Sequence, residues 1–405
     1  MKNLLAESAP FRYFFLCRTA TTMSIQMMMV IVAWQMYDIT RSAYDLGLVG
    51  LAQFVPALAL CLVVGQIADR FDRRVILAGC LLVQCCVALL LLAGTLGGWL
   101  SRDVILLASL GLGTARAFQQ PTQQALLPTL VSRAVLPRAL ALGSAAMQIA
   151  TIAGPAIGGF IYVAGAAEVY GTCAAMSVFA IVMVCLIGNP HARVARVARE
   201  PVTLQSLFAG IGFIWSRKEV LGAISLDLFA VLFGGATALL PVFARDVLHT
   251  GSWGLGLLRS APAVGALLVS LYLVRHPIEQ KVGKVMFSSV TMYGLATLVF
   301  ALSTDFLLSL AALMLTGAFD MVSVVVRQSL VQLQTPDEMR GRVSAVNSIF
   351  IGASNQLGEF ESGVTAGLFG AVPSVLIGGV GTVLIVALWM KLFPSLAEAE
   401  RLTVA

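Results

Sequence analysis

Apolar runs long enough to cross a bilayer recur twelve times along this 405-residue chain, and nothing else in it constrains the fold as tightly. They lie at about 12–37, 46–68, 75–97, 103–128, 136–164 and 168–188. After a polar stretch they resume at 219–244, 253–274, 285–303, 305–330, 342–369 and 372–393. At 1.5 Å of rise per residue, each is long enough for about 30 Å of hydrocarbon. Composition points the same way. Hydrophobic residues make up 59% and charged residues 11%, against about half and a quarter in a soluble globular protein. A mean hydropathy of +0.92 completes the case for an all-α integral membrane protein with twelve spans.

Several function classes drop out on the same grounds. The formal net charge of +6 forms no basic patch clear of apolar sequence, so nucleic acid is not an expected partner. Cys17, Cys61, Cys80, Cys85, Cys86, Cys173 and Cys185 sit in apolar stretches at no ligand spacing and read as small core residues. The three histidines cluster with nothing, so no metal site and no cofactor is expected. A membrane enzyme would need a nucleophile, metal cluster or cofactor loop, and none stands out.

Charge sets the orientation. With the N-terminus in the cytoplasm, nineteen of the 26 Lys and Arg fall inside, three outside (Arg41, Arg102, Arg245) and four within spans. That bias puts both termini in the cytoplasm. The five tryptophans, Trp34, Trp99, Trp215, Trp253 and Trp389, stand near span ends, as an interfacial belt requires. The one extended cytoplasmic connector, 189–218, starts as a basic linker. It ends with Leu204, Leu207, Phe208, Ile211 and Trp215 at helical spacing, which predicts an in-plane amphipathic helix. The expected organisation is therefore a six-helix bundle over 1–188, this linker, and a second six-helix bundle over 219–405.

The two halves are related in sequence. A shift of 204 lays Gln124 on Gln328, Arg138 on Arg342, Ser144 on Ser348, Gly154 on Gly358 and Gly159 on Gly363, and a shift of 206 lays Gly50 on Gly256 and Pro56 on Pro262. Duplicated six-helix units are the plan of many transporters, with the binding site between the repeats near the midplane.

Between the second and third runs lies GQIADRFDRRVIL. It resembles the G-x-x-x-D-R-x-G-R-R loop of the major facilitator superfamily, with Asp72 in place of the second glycine. The resemblance implies the two-bundle fold of that superfamily. It also implies a cytoplasmic gate latch made of Gly65, Asp69, Arg70, Arg73 and Arg74, with Asp69 facing a helix N-terminus near Gly341. As ordinary physics the same arginines are positive-inside anchors.

In the fourth run Arg116, Gln119, Gln120 and Gln123 share one helix face. An arginine at midspan costs about 2.5–3.5 kcal/mol on insertion scales, so Arg116 should meet water or a partner. The stretch resembles the R-x-x-Q-G signature of proton-coupled antiporters, with Gln120 at the glycine position. The repeat-mate of Arg116 is Asp320, and the two are expected to act as a coupling or gating pair. GPAIGG, with Gly154, Pro155, Gly158 and Gly159, resembles the fifth-span motif of exporters, and physically it gives a bend and close helix packing. In the eleventh run Ser348, Gly352, Asn355, Glu359 and Ser362 form one stripe, and Ser354, Gly358, Glu361 and Thr365 another. Either glutamate is a candidate proton site, and the spacing does not choose between them. Arg18, Asp227 and Arg259 are isolated intramembrane charges, the first two on spans that line the cavity in this superfamily. Met23, Met27, Met28, Met29 and Met36 are adaptable lining for a cavity or for neighbouring helices.

LQTPDEMRGRVSAVN, GAISLDLFAVLFGG and RSAPAVGALLVSLY resemble the exporter branch of the superfamily that includes enterobactin exporters and macrolide efflux proteins. A monomer is the expected working unit, and the resemblance implies a secondary transporter of the bacterial inner membrane. It would export a small amphipathic compound, a siderophore or drug-like molecule, against protons by alternating access. An importer or lipid flippase of the same fold is the alternative.

Overall fold

A computed structural model describes residues 8–132, 134–188 and 204–400, and no strand occurs among them. Helices α1 (Ala9–Thr40), α2 (Ala43–Arg70), α3 (Arg73–Gly97), α4 (Arg102–Leu130), α5 (Leu136–Ile161) and α6 (Ala166–Leu186) precede the linker. They are followed by α7 (Leu204–Ser216), α8 (Lys218–Phe233), α9 (Ser252–Arg275), α10 (Val282–Leu302), α11 (Phe306–Gln334), α12 (Asp337–Phe369) and α13 (Ala371–Leu392). Lipid offers a backbone no hydrogen-bond partners, so a spanning segment must satisfy its own, and helices do so.

Ten of the described segments are long and apolar enough to cross a membrane, with Lys218–Val247 counted as one. The two remaining long helices are α4 and α12, of 29 and 33 residues. They fall short in apolarity, not in length, because they carry the polar stripes around Arg116 and around Glu359 and Glu361. Leu96, Val274 and Leu302, each more than two-thirds exposed, mark outer faces suited to acyl chains.

The chain divides into two compact units: residues 1–40, 52–201 and 251–256 in one, and 41–51, 202–250 and 257–405 in the other. In the first, α1 packs on α5 and α6, and α3 on α4 and α6. Phe11, Phe14, Leu77, Leu81, Leu126 and Val184 form a buried core at one end of these helices. Gly154 and Gly158 meet α1 at Met23, Gln26 and Met27, while Gly159 meets Ser252 and Gly256 at the start of α9. The Ser252 hydroxyl donates to the Gly159 carbonyl at 3.0 Å. The glycine motif thus serves two helix contacts at once, where lipid supplies no hydrophobic force and close approach supplies dispersion instead.

In the second unit α10 packs on α11 and α13, and α8 on α12 and α13. Trp389 is buried there: its indole N–H donates to Ser225 Oγ at 3.0 Å, and its ring lies 5.1 Å from that of Phe229. Trp34 is buried as well, so these two depart from the interfacial belt that their position near span ends predicts. The α7 helix forms as expected but is not simply laid on lipid. Gly210 sits against Arg342 and Val346, and Ile214 joins a core with Val220, Val343 and Val346. Phe208 and Trp215 point outward from the other side, at 68% and 70% exposure.

Local signals set the helix ends. Asp72, with extended backbone, caps α3 by accepting from the Arg74 amide at 2.9 Å, so the position that is glycine in the superfamily loop serves here as a helix cap. At the other end Gly98, with φ +68°, takes the left-handed conformation that closes the helix. The Arg74 guanidinium also pairs with the Asp72 carboxylate at 2.6 Å and holds it below the usual carboxylate range. Asp72→Ala should therefore lower stability by about 0.5–2 kcal/mol, mostly through the lost cap, since an exposed ion pair adds little. A carboxylate held low contributes above its unfolded titration range and loses that contribution as pH falls through its folded value. Thermal unfolding in detergent should thus show a gap between wild type and Asp72→Ala at pH 7 that narrows below about pH 4; a gap that widens in acid would contradict this assignment.

Candidate functional site

The seventh apolar run is broken. Helix α8 stops at Phe233, Gly234 and Gly235 interrupt it, and the chain goes on through a 3₁₀ turn (Ala236–Leu239), one α turn (Leu240–Val242) and a π turn (Phe243–Val247). This departs from the continuous span expected over 219–244. The glycines permit it: a Cβ on Gly234 would collide with Tyr293, and one on Gly235 with the backbone of Gly358. The Tyr293 hydroxyl donates to the freed Gly234 carbonyl at 3.1 Å. A backbone group released inside a membrane protein needs such a substitute partner. Broken helices of this kind commonly mark binding sites in transporters.

Beside the break, Asp227, Ala230 and Val231 of α8, Val290 and Tyr293 of α10, and Phe319, Asp320 and Ser323 of α11 line a small cavity. Asp227 Oδ2 forms an ion pair with Arg327 Nη1 of α11 at 2.7 Å, and both side chains are buried. Asp320, Ser323 and Arg327 follow one another at spacings of three and four, so they share one face of α11. The cluster holds two acids and one arginine, so it carries one negative charge when all three are ionised. Three of its polar groups are unspent. Asp320 has no hydrogen bond or ion pair among the described residues, and neither the Arg327 Nε–H nor the Ser323 hydroxyl, both buried, has a partner.

The first unit contains a different kind of cavity. Arg116 of α4 lines it with Leu112, Ile25, Met28 and Met29 of α1, Gln53 of α2 and Gln84 of α3. Arg116 is exposed in it and makes no hydrogen bond or ion pair among the described residues. Gln84 donates to Gln119 at 2.5 Å. Gln120 is exposed and Gln123 is buried, so Arg116 and Gln119 share Gln84 as a neighbour while the other two polar residues of the stripe have separate surroundings. Arg18 is half-buried beside Gly143, with Nη2 at 3.9 Å from Met147 Sδ and its Nε–H buried without a partner. The methionine run divides its work: Met28 and Met29 face the cavity, while Met23 and Met27 pack on the α5 glycines.

The remaining expected site residues are dispersed. Arg73 donates to the Ala125 carbonyl at 3.0 Å, and Arg74 to the carbonyls of Ile187 and Gly188. These two tie the ends of α4 and α6 to the loop. The side chains of Asp69 and Arg70, and Gly65 with them, lie outside the described residues. On α12, the Glu361 carboxylate accepts from Thr365 Oγ1 at 2.7 Å and from Ser362 within its own helix. Glu359 lies beside Gly50 of α2. Asn355 is exposed and donates to the Ile351 carbonyl. Arg116 and Asp320, expected to act as a pair, line one cavity each, and the cation at the second is Arg327.

Arg327, Ser323 and Tyr293 are the residues sequence reasoning passed over. Arg327 did carry a signal, as an intramembrane arginine two helical turns from Asp320 on the same face. Tyr293 carried none. Removing one partner of a buried ion pair leaves an uncompensated charge and costs about 3–5 kcal/mol, whereas removing both can be close to neutral. Asp227→Asn should lower thermal stability in detergent by that amount, and Asp227→Asn with Arg327→Gln should recover most of it. A double variant no better than the single one would show that the pair does not act as a unit.

Comparison with known proteins agrees with this architecture. Residues 5–404 match the family model described as transmembrane secretion effector. The chain is 27% identical to an enterobactin exporter of Citrobacter koseri, covering 98% of this chain and 95% of that protein. It is 24% identical to a staphyloferrin A transporter of Staphylococcus aureus, covering 87% and 88%. Its fold matches a bacterial homologue of the iron transporter ferroportin, solved in an inward-facing state, with a TM-score of 0.74 at 15% identity over 98% of this chain and all of that one. The protein is an all-α multi-pass membrane transporter and not an enzyme; it belongs to the transmembrane secretion effector family of the major facilitator superfamily.

Proposed function

We propose that this protein exports a small amphipathic compound of the siderophore type from the bacterial cytoplasm in exchange for protons. On this reading, α4 and α12 complete twelve spans, both termini are cytoplasmic, the monomer is the working unit, and 1–188 and 219–405 are the moving halves joined by 189–218. The observation that carries the proposal is the cluster in which the buried Asp227–Arg327 pair shares a cavity's surroundings with a second acid, Asp320, that has no hydrogen bond or ion pair among the described residues. Inside a bilayer such a cluster is costly to keep for packing alone. With Asp320 protonated it is neutral, and with Asp320 ionised it bears one negative charge. A group with those two states can link a proton gradient to a change of conformation.

The chemistry of the first unit's cavity supports the cargo class. Arg116 is an uncompensated cation among two glutamine amides and two methionines. That suits a compound with acidic groups on an apolar body, and flexible thioethers tolerate varied shapes. The two curated relatives named above are an exporter and a transporter of siderophores, enterobactin and staphyloferrin A.

The test is proton flux in reconstituted vesicles with an acidic interior and a pH-sensitive dye. A panel of acidic siderophores should trigger alkalinisation, a panel of cationic drugs should not, and Asp320→Asn should abolish the response. Arg116→Gln removes a charge-assisted contact of about 1.5–3 kcal/mol, so it should raise the half-saturating concentration roughly tenfold to hundredfold. An unchanged dye response in Asp320→Asn would overturn the coupling, and a response to the cationic panel alone would overturn the cargo class.

A further inference from the structure

We propose that Arg327 is a movable arm that passes from Asp227 to Asp320 when Asp320 loses its proton, and that this hand-over releases α8 next to its break at Gly234 and Gly235. The inference rests on the proton-exchange reading and adds its moving part. The structure shows one end of the exchange, with Arg327 Nη1 on Asp227 at 2.7 Å. Arg327 still has an unspent, buried Nε–H. Asp320 lies within electrostatic reach of both Asp227 and Arg327 and has no hydrogen-bond partner of its own. Between them on the same face sits Ser323, 3% exposed, lining the cavity with its hydroxyl unpartnered. A hydroxyl there can accept from the protonated acid and donate to the ionised one, so both states are served.

The electrostatics give the direction. While Asp320 is neutral, Asp227 is the only anion in the cavity and holds Arg327. When Asp320 ionises, two anions compete for one cation in a place where a bare charge is expensive. Arg327 and Asp320 share α11, whereas Asp227 belongs to α8. The first pairing therefore bridges two helices and the second lies within one. Hand-over removes a bond that ties α8 to α11, about two turns before α8 ends at Phe233. The other charged and titratable groups on these elements are Tyr293 and Lys284 on α10, Lys218 and Glu219 on α8, and Arg259, Tyr272 and Arg275 on α9, which packs on α11 through Pro262 against Gly317. Of these, Tyr293 alone lines the cavity, and its hydroxyl is committed to the Gly234 carbonyl.

The chain holds its own reporter. Trp389 hydrogen-bonds Ser225 and packs on Phe229, the residues of α8 on either side of Asp227. Its emission, taken as the difference between the reconstituted wild type and Trp389→Phe, should change in one step as pH is raised. Asp320→Asn should abolish the step. Arg327→Gln should abolish it too, while the infrared carboxyl band of Asp320 still titrates, because ionisation then has no arm to move. Arg327→Lys should restore the step with its midpoint displaced to higher pH. Should Arg327→Gln fail to fold, Asp227→Asn with Arg327→Gln must likewise show the band titrating and the step absent. A step of unchanged size in Asp320→Asn or in the double variant would overturn the proposal, as would a flat wild-type trace across the pH range in which the Asp320 band titrates. A Trp389 step without substrate-driven proton flux would remove the transport reading and leave the arm standing.

Discussion

A chain in hydrocarbon must satisfy its backbone hydrogen bonds internally, and the architecture of this transporter follows from that requirement. Among the described residues it makes the long segments helices, and it makes the interruption at Gly234 and Gly235 a place that needs compensation. The Tyr293 hydroxyl takes up the released carbonyl, and two glycines let Tyr293 and Gly358 come close. About two turns before the break, Asp227 reaches across to α11 in an ion pair whose partners are both buried.

Charge inside the two units is arranged differently. The first holds Arg116 and Arg18, neither with an acid beside it among the described residues. The second holds a pair and a further acid around one cavity. An unpaired arginine facing a cavity is a contact waiting for an anion. A carboxyl beside an occupied arginine is a group whose charge depends on its proton. On the proposed function, substrate recognition falls to the first cluster and proton exchange to the second.

Much of this was legible in the sequence because it depends on one-dimensional patterns. Hydropathy located the helices to within a few residues, and Arg116 and Asp320 announced themselves as charges in apolar runs. What escaped depends on three-dimensional proximity. Asp227 and Arg327 lie a hundred residues apart, and no spacing rule joins them. The break in the seventh run escaped because a Gly-Gly pair is compatible with a continuous helix, and the close contacts that need these two glycines, with Tyr293 and Gly358, come from other helices. Trp34 and Trp389 read as interfacial from their places near span ends, yet packing turned both inward. The α7 helix was recognisable by periodicity, but which apolar side meets α12 was settled by Gly210 and Ile214, not by the stripe with Phe208 and Trp215.

The central claim is that Asp320 is the group that trades a proton against cargo. It is tested most directly by counting protons. In weakly buffered detergent solution, wild-type protein mixed with a saturating siderophore should release about one proton per chain, by linkage between ligand and proton binding. Asp320→Asn, binding the same compound, should release none. Equal release from both proteins would place the exchanging proton elsewhere and contradict the account.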